Sequence, residues 1–467
     1  MYFCYIFIVY YRKVGFIMTK APKLSDYLGK PFDCSCGKKH STGLESVTVC
    51  SGAINSLPDY VEKYNFKNLY IACDKITYDI AGKKVMEILA AHNIKAKAHV
   101  FTEARFIPDE QALGNLMLDA DRDCDLVVAV GTGSINDLCR FFSYQMGIPY
   151  CIVATAAPMD GFASTGAALI ANNIKINMSA QSPLFIIGDT DILTGAPARM
   201  VSAGLGDLLG KFTCLTDWRI SKVINEEYYC DTIVNLVSDC IENVLSSADK
   251  VASRDPKVIG DIMEGLVLTG VAMSFIGNSR PAAGCEHHMC HFWETLELQE
   301  GKIPVLHGTK VAVGTVIILK MTELLRENRP DFELAREKAK QYSQDAWEKT
   351  INEVYGASAS SIIELEHKSQ KNAVEGRLKR IDSIEKNWDS IVDIMNKYLP
   401  TSERMIEILK SLDAPYYPEQ IGFDDNRLVN AMLYAKETRE RYTLLSMMAD
   451  LGVLEDLADK VVEYVHK

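Results

Sequence analysis

Short runs of β-branched and other apolar residues alternate with helical patterns between about residues 45 and 195: residues 68–74 (N-L-Y-I-A-C-D), 96–101, 125–130 (D-L-V-V-A-V), 149–154 and 184–189. A strand with one wet face alternates with a period of two, whereas these runs, 96–101 (A-K-A-H-V-F) apart, are continuously apolar through their middles, the pattern of strands buried on both faces. Parallel neighbours need long crossovers, so strands spaced by helical segments predict a parallel sheet covered by helices. Beyond about Thr194 the strand signals stop. Helical periodicity runs from Ala198 through Asn278 and from Lys310 onward, punctuated by Pro and Gly. The expected organisation is a lead-in over residues 1–44, an α/β domain over 45–194 and an all-α domain over 195–467.

With 467 residues, 48% hydrophobic and 24% charged, the chain is long enough for two or three domains and a large core. A net charge of -12 argues against a nucleic-acid surface, because phosphate backbones are engaged by clustered Lys and Arg. Thirteen cysteines, odd in number and scattered, fit a reducing cytoplasm better than a disulfide scaffold. Residues 1–17 (M-Y-F-C-Y-I-F-I-V-Y-Y-R-K-V-G-F-I) are apolar only up to Arg12-Lys13, too short to span a bilayer and without a basic start or small-residue cleavage site. The expectation is an appended or over-called start before Met18, with a membrane-surface anchor as the alternative and no stable membrane insertion.

Three constellations carry chemistry. G-T-G-S-I-N-D, residues 131–137, follows the D-L-V-V-A-V strand and opens a helical pattern. Two glycines let the backbone approach a ligand closely, and free N–H groups at a helix start can hold a pyrophosphate. A dinucleotide fingerprint would place a third glycine where Asn136 stands, so a simple strand-to-helix turn is the alternative. T-A-A-P-M-D-G-F-A-S, residues 155–164, puts small and hydroxyl residues beside an acid at the carboxyl end of a strand, where open α/β sheets bind ligands. Its alternative is a loop in which Asp160 caps a turn.

The third constellation joins Asp207 in G-L-G-D-L-L-G-K, the run C-E-H-H-M-C-H at 285–291, and L-H-G-T-K at 306–310. Three of only nine histidines fall within five residues. On a helix His287 and His291 share a face, so one can ligate a metal while the other reaches a bound substrate. Aspartate and neutral imidazole suit zinc, iron or nickel, and three protein ligands leave a coordination position open. The H-E-x-x-H protease pattern is absent because His288 holds the glutamate position. A further run, C-S-C-G-K-K-H at 34–40, has ligand types, but C-x-C with one histidine shows no fourth partner and reads as weak evidence for structural zinc.

In order, G-T-G-S-I-N-D, T-A-A-P-M-D-G-F-A-S, G-L-G-D-L-L-G-K, E-H-H-M-C-H and H-G-T-K-V resemble the motif series of the glycerol-1-phosphate dehydrogenases, over roughly residues 30 to 320; the helical C-terminus resembles the bacterial branch more loosely. That family is similar in fold to glycerol dehydrogenase, iron-dependent alcohol dehydrogenases and dehydroquinate synthase. The resemblance implies NAD or NADP contacts at Gly133, Ser134, Ile135, Asn136 and Asp137, at Thr155, Ala156, Ala157 and Pro158, and at Ser164. It implies Asp207, His287 and His307 as ligands of one divalent ion (zinc, nickel or iron), with Asp160, Asp207 and His291 on the substrate and Asp160 and His291 catalytic. Pro158 departs from the serine usual there, removing a hydroxyl that could meet the cofactor, and Cys285 and Cys290 stand where Ala and Ser are common.

The implied reaction interconverts dihydroxyacetone phosphate and sn-glycerol 1-phosphate, the metal polarising the ketone and His291 or a water at the metal relaying the proton. Arg280 and Lys211 are the candidates for the phosphate, and Asp74 for a ribose or, equally, a strand-end turn. A glycerol or small-alcohol dehydrogenase, a dehydroquinate-synthase-like lyase that returns its NAD, and a non-catalytic metal-binding scaffold stay as alternatives. A cytoplasmic homodimer or larger homo-oligomer is the family-level expectation.

Overall fold

A computed structural model describes residues 24–466 apart from 104, 105, 172 and 173. The apolar start at 1–17 lies outside the described residues. Ten strands are seen among the described residues: β1 (Phe32–Asp33), β2 (Lys39–His40), β3 (Ser46–Cys50), β4 (Asn68–Asp74), β5 (Lys95–Phe101), β6 (Leu126–Gly131), β7 (Tyr150–Ala154), β8 (Gly166–Ala171), β9 (Ile174–Ser179) and β10 (Phe185–Asp189). Six form one sheet in the order β3-β10-β7-β6-β4-β5, and every pairing in it is parallel. Each run named from sequence is a strand of this sheet, with ends shifted by at most one residue.

Continuous apolarity has the expected cause. Leu69, Ile71, Val128 and Ile187 point to one face, where Leu57 and Val61 of α1 (Leu57–Lys63) and Val85 and Leu89 of α2 (Lys83–Ala91) cover them. Tyr70, Val127, Ala129 and Ile152 point to the other, under Leu116 of α3 (Glu110–Asp119) and Leu138 and Phe142 of α4 (Gly133–Met146). Each such fully buried aliphatic side chain contributes about 1.5–3 kcal/mol. Strands β4 and β6 lie side by side, yet β4 leads outward to β5 and β6 leads the other way to β7. The carboxyl ends of β4 and β6 therefore flank a topological switch point, where sheets of this kind bind ligands.

Three features were not anticipated: the short antiparallel pair β1–β2, the edge strand β3, paired to β10, and the antiparallel hairpin β8–β9. After Asp189 the described residues form no further strand and are mostly helical. The helices that bear on the site are α5 (Ala198–Leu209), α6 (Lys211–Asn225), α7 (Asp231–Leu245), α8 (Pro256–Ile276), α9 (Cys285–Gln299) and α10 (His307–Arg326), and further helices run from Phe332 to Val465. Helix α8 is long and apolar enough to cross a membrane, but 72% of its apolar window is buried within the protein, where it packs in the core shared by sheet and helices.

Candidate active site

The first wall of the site is the carboxyl edge of the sheet. Gly131 ends β6, Thr132 precedes α4, and the amide of Thr155 donates to the carbonyl of Gly131 (3.0 Å), tying the segment after β7 to this turn. Ser134 is exposed and Gly133 and Asp137 half-exposed, whereas Ile135 and Asn136 are buried. The Asn136 amide, fully buried, has no hydrogen-bond partner for either its nitrogen or its oxygen. A helix start with open N–H groups, a glycine and an unsatisfied amide is chemically suited to a dinucleotide phosphate. Thr155, Ala156, Ala157 and Pro158 are buried alongside.

Ser164 is held from behind by Arg140, which the sequence reading passed over. Its buried guanidinium reaches the Tyr150 hydroxyl (2.8 Å), Asp137 (2.7 Å), Ser164 Oγ (3.2 Å) and the carbonyls of Gly161 (2.5 Å), Phe162 (2.9 Å) and Gly166 (2.6 Å). One planar fork thus fastens the whole 161–166 turn onto α4. The only signal in the sequence is an arginine inside the otherwise apolar L-C-R-F-F of α4.

The second wall is helical. Asp207 lies near the end of α5, His287 and His291 one turn apart on α9, and His307 opens α10. Close backbone approach sets their spacing. A Cβ on Gly204 would collide with the carbonyl oxygen of Ala157, and one on Gly308 with that of Ala203. These glycines let the 155–160 loop, α5 and α10 touch through their backbones, which brings Asp160 and His307 to Asp207. The amide of Asp160 donates to Asp207 Oδ2 at 2.9 Å.

One side-chain atom from each of Asp207, His287 and His307 lies within 4.8 Å of the others. His287 Nδ1 sits 2.7 Å from Glu286 Oε1 and Nε2 is 3.3 Å from Asp207 Oδ1. Burial would raise Glu286, but His287, Thr213 and the Gly284 amide hold it below the usual carboxylate range, so it accepts and Nδ1 donates. That leaves the Nε2 lone pair facing a carboxylate oxygen, an arrangement that calls for a proton or a cation between them. His307 Nδ1 likewise faces Glu294 Oε1 (3.2 Å), and His291 Nδ1 faces Glu294 Oε2 (3.1 Å). Imidazoles each tied by a carboxylate on one nitrogen match the way metal-binding histidines are oriented.

Lys211, one turn after Asp207, has no exposed side chain. Its ammonium contacts Asp160 Oδ2 (2.6 Å), Asp207 Oδ1 (2.8 Å) and the carbonyl of Ala282 (3.0 Å). Burial would lower the lysine, but the two carboxylates outweigh it and raise it. Burial would equally raise Asp207, but Lys211 and the histidines hold it well below the usual range. Lys211 is therefore a counter-charge within the cluster and not the phosphate partner it suggested by position. Arg280 bonds Glu227 (2.8 Å) and the carbonyls of Asp217 (3.3 Å) and Tyr442 (3.0 Å) through Nη2 alone, and its buried Nε and Nη1 have no hydrogen-bond partner, so two donors stay open to an anion. Asp74 accepts from the Thr77 amide (2.8 Å) in a reciprocal cap at the end of β4, the turn role weighed against ribose binding.

Besides Arg140, Glu286, Glu294, Glu297 and Lys310 were missed as supports. Lys310 Nζ bonds Glu297 (2.8 Å) and lies 3.5 Å from Glu294, steadying the carboxylate between the two histidines. Asp217 accepts from the amides of Cys285 (2.8 Å) and Leu444 (2.6 Å), seating the start of α9; burial and then Glu286 push its carboxyl up to about 7.

The model of the family described as iron-containing alcohol dehydrogenase matches residues 48–197. A glycerol-1-phosphate dehydrogenase [NAD(P)+] of Halalkalibacterium halodurans is 31% identical over 417 residues, covering 88% of this chain and 94% of that protein. One from Methanosarcina acetivorans is 30% identical, covering 89% and 93%. Among solved structures, a glycerol dehydrogenase from Schizosaccharomyces pombe aligns with a TM-score of 0.54 at 14% identity (91% of this chain, 92% of that one), and an iron-containing alcohol dehydrogenase from Corynebacterium glutamicum with 0.56 at 16% (90% and 96%). At such identities the structural likeness speaks for the fold.

Proposed function

The chain belongs to the glycerol-1-phosphate dehydrogenase family, and from that premise we propose that it is a metal-dependent, NAD(P)-linked oxidoreductase interconverting dihydroxyacetone phosphate and sn-glycerol 1-phosphate. The observation that carries the reading is the meeting of Asp207, His287 and His307 beside the 155–164 loop, which touches Asp207 through the Asp160 amide and the start of α4 through Met159 against Gly133. Asp207, His287 and His307 would hold one divalent ion, and when bound it supplies a Lewis acid to the carbonyl oxygen. Bound NAD(P)H supplies the hydride.

The rest falls to the chain. Gly133 to Asp137 present helix-start N–H groups to the pyrophosphate, and Thr155 to Pro158 with Ser164 line the path of the cofactor. Arg140 keeps that path rigid. Asp160 and Asp207, bridged by Lys211, form a fixed polar floor that orients the substrate hydroxyls. His291, whose side chain is 28% exposed, stands between the buried cluster and solvent, with its Nδ1 3.1 Å from Glu294 Oε2. It is placed to give a proton to the developing alkoxide and recover it from water.

The test is turnover. Protein stripped with a chelator is given NADH and dihydroxyacetone phosphate, and zinc, nickel or ferrous iron is added singly. Metal-restored NADH oxidation, with the 1-phosphate and not the 3-phosphate enantiomer as product, is expected. His287→Ala should lose activity and the metal at this site together. NADH binding with no turnover under any of the three ions would point to a different ketone or to a non-redox member of the fold.

A further inference from the structure

The run C-S-C-G-K-K-H seemed to lack a fourth ligand because that ligand is remote in sequence. Cys230, the residue before α7, sits against it. We propose that Cys34, Cys36, His40 and Cys230 form a second, structural zinc site, separate from the catalytic cluster, that clamps the N-terminal segment onto the helical half of the protein.

The geometry is that of a tetrahedron's edges. Zinc bonds of about 2.3 Å to sulfur and about 2.0–2.1 Å to nitrogen place two thiolates about 3.8 Å apart, and a thiolate and an imidazole about 3.6 Å apart. Here Cys34 Sγ and Cys230 Sγ are 3.6 Å apart, Cys230 Sγ and His40 Nε2 3.6 Å, and Cys36 Sγ and His40 Nε2 3.3 Å, with all four ligand atoms within 4.8 Å of one another. The sulfurs are too far apart for a disulfide, which needs about 2.05 Å, and all three cysteines are free.

The surroundings are built for a ligand set. His40 Nδ1 lies 2.9 Å from the carbonyl of Phe275 at the end of α8, so Nδ1 carries the hydrogen and Nε2 presents its lone pair to the sulfurs. The ring is fixed between Phe32 (5.4 Å) and Phe275 (5.9 Å), and only 1% of His40 is exposed. Gly37, at φ +83°, turns the chain in a conformation open to glycine, and its amide donates to the Cys34 carbonyl (3.0 Å), folding Cys34 and Cys36 back over His40. The Tyr228 hydroxyl, 3.1 Å from Cys36 Sγ, and the Thr232 hydroxyl, 3.3 Å from Cys34 Sγ, can donate to thiolates and disperse their charge. Three sulfurs and one nitrogen close the shell with no position for substrate, which marks a structural and not a catalytic zinc. The ligands join β1–β2 to the start of α7, and the histidine's hydrogen bond reaches α8, so one ion ties three otherwise distant segments.

The experiment compares full-length wild type, Cys230→Ser, Cys290→Ser and His287→Ala, each loaded with zinc for metal analysis and with cobalt for absorption spectra. Wild type should carry two ions per chain and show a thiolate-to-cobalt charge-transfer band with strong tetrahedral d–d absorption. His287→Ala should lose one ion and keep the band. Cys290→Ser, which removes the thiol nearest the catalytic histidines, should keep it too, and Cys230→Ser should lose it and half the metal. Wild type with a single ion and no thiolate band overturns the proposal whether or not Cys230→Ser folds. So does a Cys34–Cys230 disulfide found by mass spectrometry in zinc-loaded protein. Because His287→Ala separates the two ions, failure of the catalytic reading leaves this test intact.

Discussion

Deleting the ammonium of Lys211 would leave Asp160 and Asp207 as neighbouring buried carboxylates without their shared cation. Stranding buried charge in this way costs about 3–5 kcal/mol. Lys211→Met is therefore expected to lower stability by that order in metal-free protein, measured by urea unfolding, and saturating zinc should restore part of it by neutralising Asp207. A loss that zinc does not change would detach Asp207 from the metal. Glu294 acts differently, since it touches both His291 and His307. Glu294→Gln should weaken metal binding about 10- to 100-fold, read by competition with a chromogenic chelator, with little change in unfolding midpoint; unchanged affinity would remove Glu294 from that role. The histidines and Asp207 were legible because histidine is scarce in this chain, so three within five residues stand out. Arg140, Glu286 and Glu294 were not, because a charged residue on a helix reads as solvated surface. What distinguishes them is burial, which composition does not reveal. Cys230 was illegible for a plainer reason: 190 positions separate it from His40, and only the packing of α7 beside β2 joins them.

At the level of elements, the site depends on three backbones meeting at glycines. Gly204 of α5 lies against the carbonyl of Ala157, and Gly308 of α10 against that of Ala203. An added methyl has only backbone to push against, so relief requires moving a loop or a helix and not a side chain. Gly204→Ala is expected to cost about 1–3 kcal/mol and, by shifting the 155–160 loop away from Asp207, to lower kcat/KM about 100-fold. Steady-state kinetics beside thermal unfolding checks this, and a folded variant with wild-type kinetics would show that the loop position is not set by this contact. The parallel strands were readable because burial on both faces leaves a continuous apolar run. The hairpin β8–β9 escaped because G-A-A-L-I-A is too small-residue-rich to read as a strand, and its partner I-K-I-N-M-S alternates polar residues outside the sheet's rhythm. Strand β3, S-V-T-V-C, is half-buried at the sheet edge and has little apolar signal of its own.

Across the whole molecule, the helices after Phe332 are held to one another by buried ion clusters as well as by apolar packing. Around a cavity of about 150 Å³, Asp450 binds Arg377 (3.2 Å) and Arg380 (2.6 Å), while Glu437 is held by Lys371 (3.0 Å), Lys436 and the Asn372 amide (3.0 Å). Burial alone would raise the Glu437 carboxyl, but the two lysines hold it down to about 2 from an ordinary 4.5. A folded-state value below the unfolded one gives stability that is present above the unfolded value and lost as pH falls through the folded one. A difference of that size corresponds to about 3 kcal/mol at neutral pH. Glu437→Gln should therefore be less stable than wild type by roughly that amount in urea unfolding at neutral pH. The gap should stay level down to about pH 5 and close steadily between about 4.5 and 2, as the wild-type carboxylate takes up its proton in the unfolded chain first. Activity at saturating substrate and metal should be unchanged wherever the variant remains folded, because the charged and hydrogen-bonding partners of the Glu437 carboxylate, Lys371, Lys436 and Asn372, stand outside the cluster around Asp207. A gap that persists unchanged to the acid end would mean that Glu437 contributes by shape and hydrogen bonding and not by charge.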